Sequence, residues 1–112
     1  MNDEPRWIAE VAAELLRIGE SMGARPGHMF GYPALYAGRR LAACAYGEGI
    51  AMKLPADRVQ TLLATGQAGP FQPYGKAKMK EWVHVRVGTT EEVDELTGLI
   101  AESLAFVADA GT

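Results

Sequence analysis

The feature that most constrains this chain is a change of hydrophobic period near residue 28. Upstream of it, Trp7, Val11, Leu15, Ile18 and Met22 recur three or four residues apart, which is one face of a helix. Asp3 is a candidate N-cap, with Glu4 and Pro5 suited to the first turn. Gly23 is a natural stop, and Pro26-Gly27 prevents continuation. From Met29 onward the helical period is gone. Met29–Ala37, Leu41–Tyr46 and Ile50–Leu54 are short apolar segments separated by Gly38 and by Gly47-Glu48-Gly49. Short connections containing Gly join antiparallel strands, so this block predicts a three-stranded antiparallel sheet. Pro33 has no backbone donor, which predicts an edge or a bulge in the first strand. The small, non-alternating middle segment suits a strand over which a helix packs closely.

The rest of the chain completes an α+β pattern. Pro55–Gly66 reads as a short helix with Val59, Leu62 and Leu63 inward. Gly69-Pro70, Pro73 and Gly75 mark residues 67–81 as loop, with room for one short strand at Phe71–Tyr74. Trp82–Val87 alternates cleanly, with Val83, Val85 and Val87 on one face and Trp82, His84 and Arg86 on the other. Thr89 followed by Glu92 is a capping box that opens a last helix. Val93, Leu96, Ile100, Leu104 and Val107 form its core face. Gly98 lies in its interior, and a close helix–sheet contact there would account for it. The expected order is α-β-β-β-α-(β)-β-α, in one domain covering 1–112.

Composition narrows the classes of function. The chain has 112 residues, 48% hydrophobic and 22% charged, which suits one globular core and excludes extensive disorder. No apolar run approaches the ~20 residues of a membrane span. Cys44 is the one cysteine, and MNDEPRW lacks the regions of a secretory signal, so a cytoplasmic setting is expected. The net charge of −3 hides a segregation. Residues 1–20 carry five acids and two bases, 21–88 carry three acids and nine bases, and 89–112 carry six acids and no base. The overall acidity argues against avid non-specific nucleic-acid binding, and the basic middle leaves room for a local anion site.

The ordered landmarks resemble the N-terminal domain of the TfoX (Sxy) family. They are Met29-Phe30-Gly31, Gly38-Arg39-Arg40-Leu41-Ala42, Met52-Lys53-Leu54, and Phe71 with Tyr74-Gly75-Lys76 and Met79. The resemblance covers about residues 5–107. It implies a two-layer arrangement, one antiparallel sheet with helices on one side, of the kind seen in YjbR-type proteins and type III secretion chaperones. It also implies a regulatory module with possible nucleic-acid association. Tyr32-Pro33 replaces the family's usual Gly after the Met-Phe-Gly triplet. The resemblance leads one to expect a stand-alone N-terminal domain, without the second domain of the longer regulators.

No catalytic or metal-binding pattern is legible, and no cofactor is implied. Cys44 among alanines reads as a small buried hydrophobe. His28 and His84 have no ligand partners at helical spacing. Tyr32, Tyr36, Tyr46 and Tyr74 could line a pocket between sheet and helices, or serve as core with hydroxyls at the rim. The candidate contact residues are Arg39, Arg40, Lys53, Lys76, Lys78, Lys80, Trp82, His84 and Arg86. Outward Trp82, His84 and Arg86 would make a basic, aromatic face. Such a face fits a solvated surface, a homodimer or other protein interface, or a nucleic-acid surface. Lys76, Lys78 and Lys80 fit an anion contact or a charged loop that keeps the next strand soluble. A non-enzymatic binding or regulatory module is the leading expectation. The alternative is a small-molecule-binding protein or enzyme with a cleft near Tyr32, Lys53, Tyr74 and Trp82.

Overall fold

A computed structural model describes residues 6–73 and 79–110. Helix α1 spans Ala9–Ser21 and buries Val11, Leu15 and Ile18. It begins later than its period suggests. Ile8 is extended at its N-cap, and Trp7 stands before the first turn with its ring edge-on to Tyr32 at 5.7 Å. Asp3, Glu4 and Pro5 lie outside the described residues. The C-terminus stops where expected. Gly23 has φ +88°, the Gly23 N–H donates to Glu20 O, and the Ala24 N–H donates to Gly19 O. This pair of bonds satisfies two carbonyls that the last turn leaves open.

The chain then forms a six-stranded antiparallel sheet. Its strands are β1 Arg25–Met29, β2 Tyr32–Ala37, β3 Arg40–Tyr46, β4 Gly49–Lys53, β5 Gly69–Pro70 and β6 Trp82–Arg86, in the order β1-β2-β3-β4-β6-β5. The central block thus belongs to four strands, not three. Phe30 and Gly31 both have positive φ, 51° and 86°, and make a two-residue type I′ turn that splits the first segment into β1 and β2. Pro26 and Gly27, read as helix breakers, are also strand residues. Pro33 is not at an edge, and the bulge lies elsewhere. It sits just beyond Ala34↔Cys44, the last β2–β3 pair at that end, so its missing donor is not called on there. The predicted strand at Phe71–Tyr74 falls instead on Gly69–Pro70.

The lack of alternation in β3 has a physical cause. Leu35 pairs with Ala43 and Tyr36 with Leu41, so Ala42 is an extra residue in the ladder. Ala42 and Ala43 both join the core on the helix side, while Cys44 belongs to a cluster on the other face. The Ala42 carbonyl, left out of the regular pairing, accepts from the hydroxyl of fully buried Ser103 at 2.8 Å.

Helices α1, α2 (Ala56–Ala64), α3 (Thr90–Asp94) and α4 (Thr97–Ala110) cover one face. Their buried residues share one core with Ile50, Met52, Val83 and Val85, as the alternation of those strands predicts. Thr89 caps α3, its Oγ1 accepting from the Glu92 N–H at 3.2 Å, while the Glu92 carboxylate accepts from the Gly88 N–H at 2.7 Å. The predicted last helix breaks after Asp94. The Leu96 N–H turns back to Val93 O, and the Thr97 hydroxyl takes Asp94 O at 2.6 Å. The break lets α3 lie against α1. The Glu10 carboxylate accepts from the Thr90 N–H at 2.8 Å, and Arg17 reaches both Glu14 and Asp94. The hydrogen bond from Arg17, helped by one from Asp94, lowers the Glu14 carboxyl to about 2. Asp94 is pushed up, chiefly by its hydrogen bond with Glu14.

The close helix–sheet contact expected at Gly98 is not there: a Cβ at Gly98 would meet open space. It occurs at Gly19, where a Cβ would fall 2.4 Å from the Leu35 methyls. Among the described residues no helix is long and apolar enough to cross a membrane.

Candidate functional site

The face of the sheet away from the helices is built around a row of small residues. Gly27, Ala34, Cys44 and Ala51 are successive cross-strand partners from β1 to β4, and the row runs on through the larger His84 of β6 to Gly69 of β5. Ala34, Cys44 and Ala51 are fully buried. Side chains two positions along each strand point to the same face, and here they are large. Met29, Tyr32 and Tyr46 flank the row on one side, and Tyr36, Leu41 and Trp82 flank it on the other. Tyr46 stacks on Tyr32 at 4.8 Å. Phe71, just past β5, folds back over β6 to lie 5.7 Å from Trp82 and 5.0 Å from Tyr46.

A low floor with tall walls makes a cup of about 380 Å³. Met29, Phe30, Tyr32, Leu41, Tyr46, Phe71, Pro73, Met79 and Trp82 line it. None of these carries a charge. Phe30, on the β1–β2 turn, is 83% exposed, and Met79 is 40% exposed. A wider, shallower groove of about 720 Å³ lies between the C-terminal half of α4 and the β2–β3 turn. It is walled mainly by alanines and glycines with Met22 and Leu104, and it has no aromatic or titratable group. The cup has the more specific chemistry, although it is the smaller of the two.

The predicted contact residues divide between the two ends of the sheet. Arg39 and Arg40 are exposed at the β2–β3 turn. Lys53 ends β4 opposite Trp82 and reaches Glu81 at 3.8 Å. Lys80 is exposed beside Met79 of the cup wall. Arg25 joins them at the start of β1, donating to Gly38 O at 2.8 Å and resting on the Tyr36 ring. Among the described strand and loop residues, these five bases share one end of the sheet with Glu81, and the helices behind it add Asp57 and Asp109. At the other end Arg86 pairs with Glu48 at 2.8 Å. His84 is half-buried, and its Nε2 is 2.8 Å from Tyr46 O, a contact that needs the proton on Nε2. Lys76, Lys78 and Tyr74 lie outside the described residues.

Three expectations are corrected. Trp82 is on the outer face but is not presented to solvent: Phe71 covers it and leaves it 9% exposed. Tyr32, Tyr36 and Tyr46 do not line a space between sheet and helices. They share the parity of Ala34 and Cys44, and so stand on the opposite face. The alternative cleft exists in part, since the cup takes in Tyr32 and Trp82, but Lys53 is not in its wall. Sequence reasoning missed Met29, Phe30, Leu41 and Phe71 as wall residues. The signal for Phe30 was available in Phe30-Gly31, a turn pair with a large apolar residue where Asn or Asp is usual.

Burial pushes the Cys44 thiol up to about 12, so it is no thiolate nucleophile at neutral pH. Among the described residues no group of three or more His, Cys, Asp or Glu side chains could hold a metal. Set against protein-family models, curated proteins and solved structures, the chain matches none of them.

Proposed function

We propose that this protein is a non-enzymatic binding module that acts through the outer face of its sheet, taking an apolar group of its ligand or partner into the cup. The observation that carries the reading is an uncharged, aromatic-walled concavity of about 380 Å³ beside a Phe30 that is 83% exposed. Concave apolar sites of this size hold ligands, and apolar surface left open beside them marks interaction sites. Phe30 adds weight. Its left-handed backbone costs about 1 kcal/mol, and the turn alone has no need of a phenyl ring. The resemblance to the TfoX N-terminal family supports a regulatory, cytoplasmic role for such a module.

The cup is tested with a small neutral aromatic, indole, titrated into isotopically labelled protein. Amide shifts concentrated on Met29, Tyr32, Leu41 and Phe71 are the expected result. Shifts spread over the surface, or centred on the α4 groove, would show that the cup is not the binding site. Leu41→Glu, which places a carboxylate in the cup wall, should weaken indole binding roughly tenfold or more.

A further inference from the structure

We infer that the cup receives an apolar side chain of a partner protein whose neighbouring residues are acidic. This inference rests on the proposed binding role of the cup. The charge distribution around the cup carries it further. Arg25, Arg39, Arg40, Lys53 and Lys80 gather at one end of the sheet, where the described acids are Glu81 and, from the helix layer behind, Asp57 at the start of α2 and Asp109 at the end of α4. The Arg86–Glu48 pair leaves the opposite end balanced. The helix layer is the reverse of the basic end: its four helices carry Glu10, Glu14, Glu20, Asp57, Glu91, Glu92, Asp94, Glu102 and Asp109 against Arg17 and Arg58, the latter paired with Glu102 at 2.9 Å. The molecule therefore shows an approaching chain a basic quarter at this end of the sheet, and that quarter adjoins the cup through Leu41, Met79 and Trp82. Complementary charge steers encounter and sets register, while the buried anchor supplies most of the affinity.

A macromolecular segment fits this arrangement better than a small molecule. The cup wall has no charged group to orient a small ligand, and the bases lie outside it. A chain that inserts one side chain necessarily carries its neighbours across the rim, where those bases stand. A nucleic acid fits less well. Trp82 and Phe71 are 9% and 4% exposed and pack against each other with their rings tilted, so they are not open platforms for stacking a base. A second copy docked by the same face fits less well too, because it would set bases against bases. Strand addition at β1 is also disfavoured. Pro26 offers no donor there, and the His28 carbonyl already accepts from the Tyr36 hydroxyl at 2.8 Å.

The test uses short synthetic peptides with one central Phe, flanked either by Asp and Glu or by Lys and Arg, and an acidic peptide with Gly replacing Phe. Binding is read by fluorescence anisotropy and by amide shifts of the labelled protein. The acidic Phe peptide should bind and shift residues of the cup and of the β2–β3 turn. Its affinity should fall roughly tenfold between about 50 and 300 mM salt. The Gly peptide should bind at least about tenfold more weakly. Arg39→Ser with Arg40→Ser should weaken the acidic Phe peptide several-fold, and Arg39→Lys with Arg40→Lys should restore most of it. Equal binding of the basic peptide would overturn the inference. So would tighter binding of a single-stranded oligonucleotide, or sedimentation showing a dimer from which the peptide is excluded. If indole still shifts the cup while the acidic peptide does not bind, the inference fails and the proposed binding role stands. If neither binds, both fall.

Discussion

Gly19 and Gly98 are both helical glycines, and their surroundings set them apart. A Cβ at Gly19 would press on Leu35, which is fully buried and has nowhere to retreat. Gly19→Ala is expected to destabilise by about 1–3 kcal/mol despite the better helix propensity of Ala. Gly98 lies in the first turn of α4 and faces open space, so Gly98→Ala is expected to stabilise by about 0.4–1 kcal/mol, chiefly by restricting the unfolded chain. Urea denaturation of the two variants, side by side, checks both signs. Phe30→Asn provides a third case. Asn tolerates the left-handed backbone of the type I′ turn, and the lost ring is mostly solvent-exposed. The variant should gain several tenths of a kcal/mol in stability and lose affinity at the cup. A gain in both would mean that Phe30 is no part of the binding surface. The sequence shows that an interior glycine needs a reason, but it does not show what lies opposite. The break after Asp94 puts Gly98 in the first turn of α4, and the close contact falls at Gly19 instead.

Among the elements, strand β3 shows how an irregularity becomes structural. One extra residue turns Ala42 and Ala43 to the same side and frees a carbonyl, which Ser103 of α4 then takes. Ser103→Ala leaves that carbonyl buried without its donor and should cost about 1–3 kcal/mol. Ser103→Thr keeps the hydroxyl but adds a methyl to a fully buried site, so a result close to wild type would show that the pocket can yield. The α1–α3 contact gives an acid-range prediction. Glu14 ordinarily titrates near 4.5 and is held at about 2 in the folded protein. Its contribution to stability is therefore complete above about pH 4.5 and is lost as the pH falls toward 2. Asp94, pushed up, binds its proton more readily in the folded state and offsets part of that loss. Glu14→Gln should flatten the fall of the urea midpoint across this range, and an unchanged slope would refute the assignment. Much at this scale was legible. The α1 face, the stop at Gly23, the Thr89 cap and the inward valines of β6 all followed from period and capping chemistry. The split of the first strand, the bulge and the break after Asp94 did not, because each is decided by partners distant in the chain.

For the whole molecule, the segregation of charge along the sequence became a segregation in space. The acidic ends of the chain make helices that pack together, and the basic middle makes strands. Like charges crowd the helix layer, so moderate salt should raise the urea midpoint, and a fall would show that the ion pairs of Arg17, Arg58 and Arg86 outweigh the repulsion. The basic character of the sheet face could be read from residue types alone. That Phe71 closes over Trp82 could not, because a loop of Gly and Pro residues gives no period from which to place it. The row of small residues beneath the cup has one more consequence. Its middle member is Cys44, the single thiol of the chain, fully buried on a central strand. Such a sulfur meets an alkylating reagent only when the sheet comes apart, so the labelling rate is a clock for spontaneous opening of the native state. The clock needs no added reporter. A true occupant of the cup would slow it in proportion to its own saturation, which makes the buried thiol a way to screen for partners without knowing them in advance.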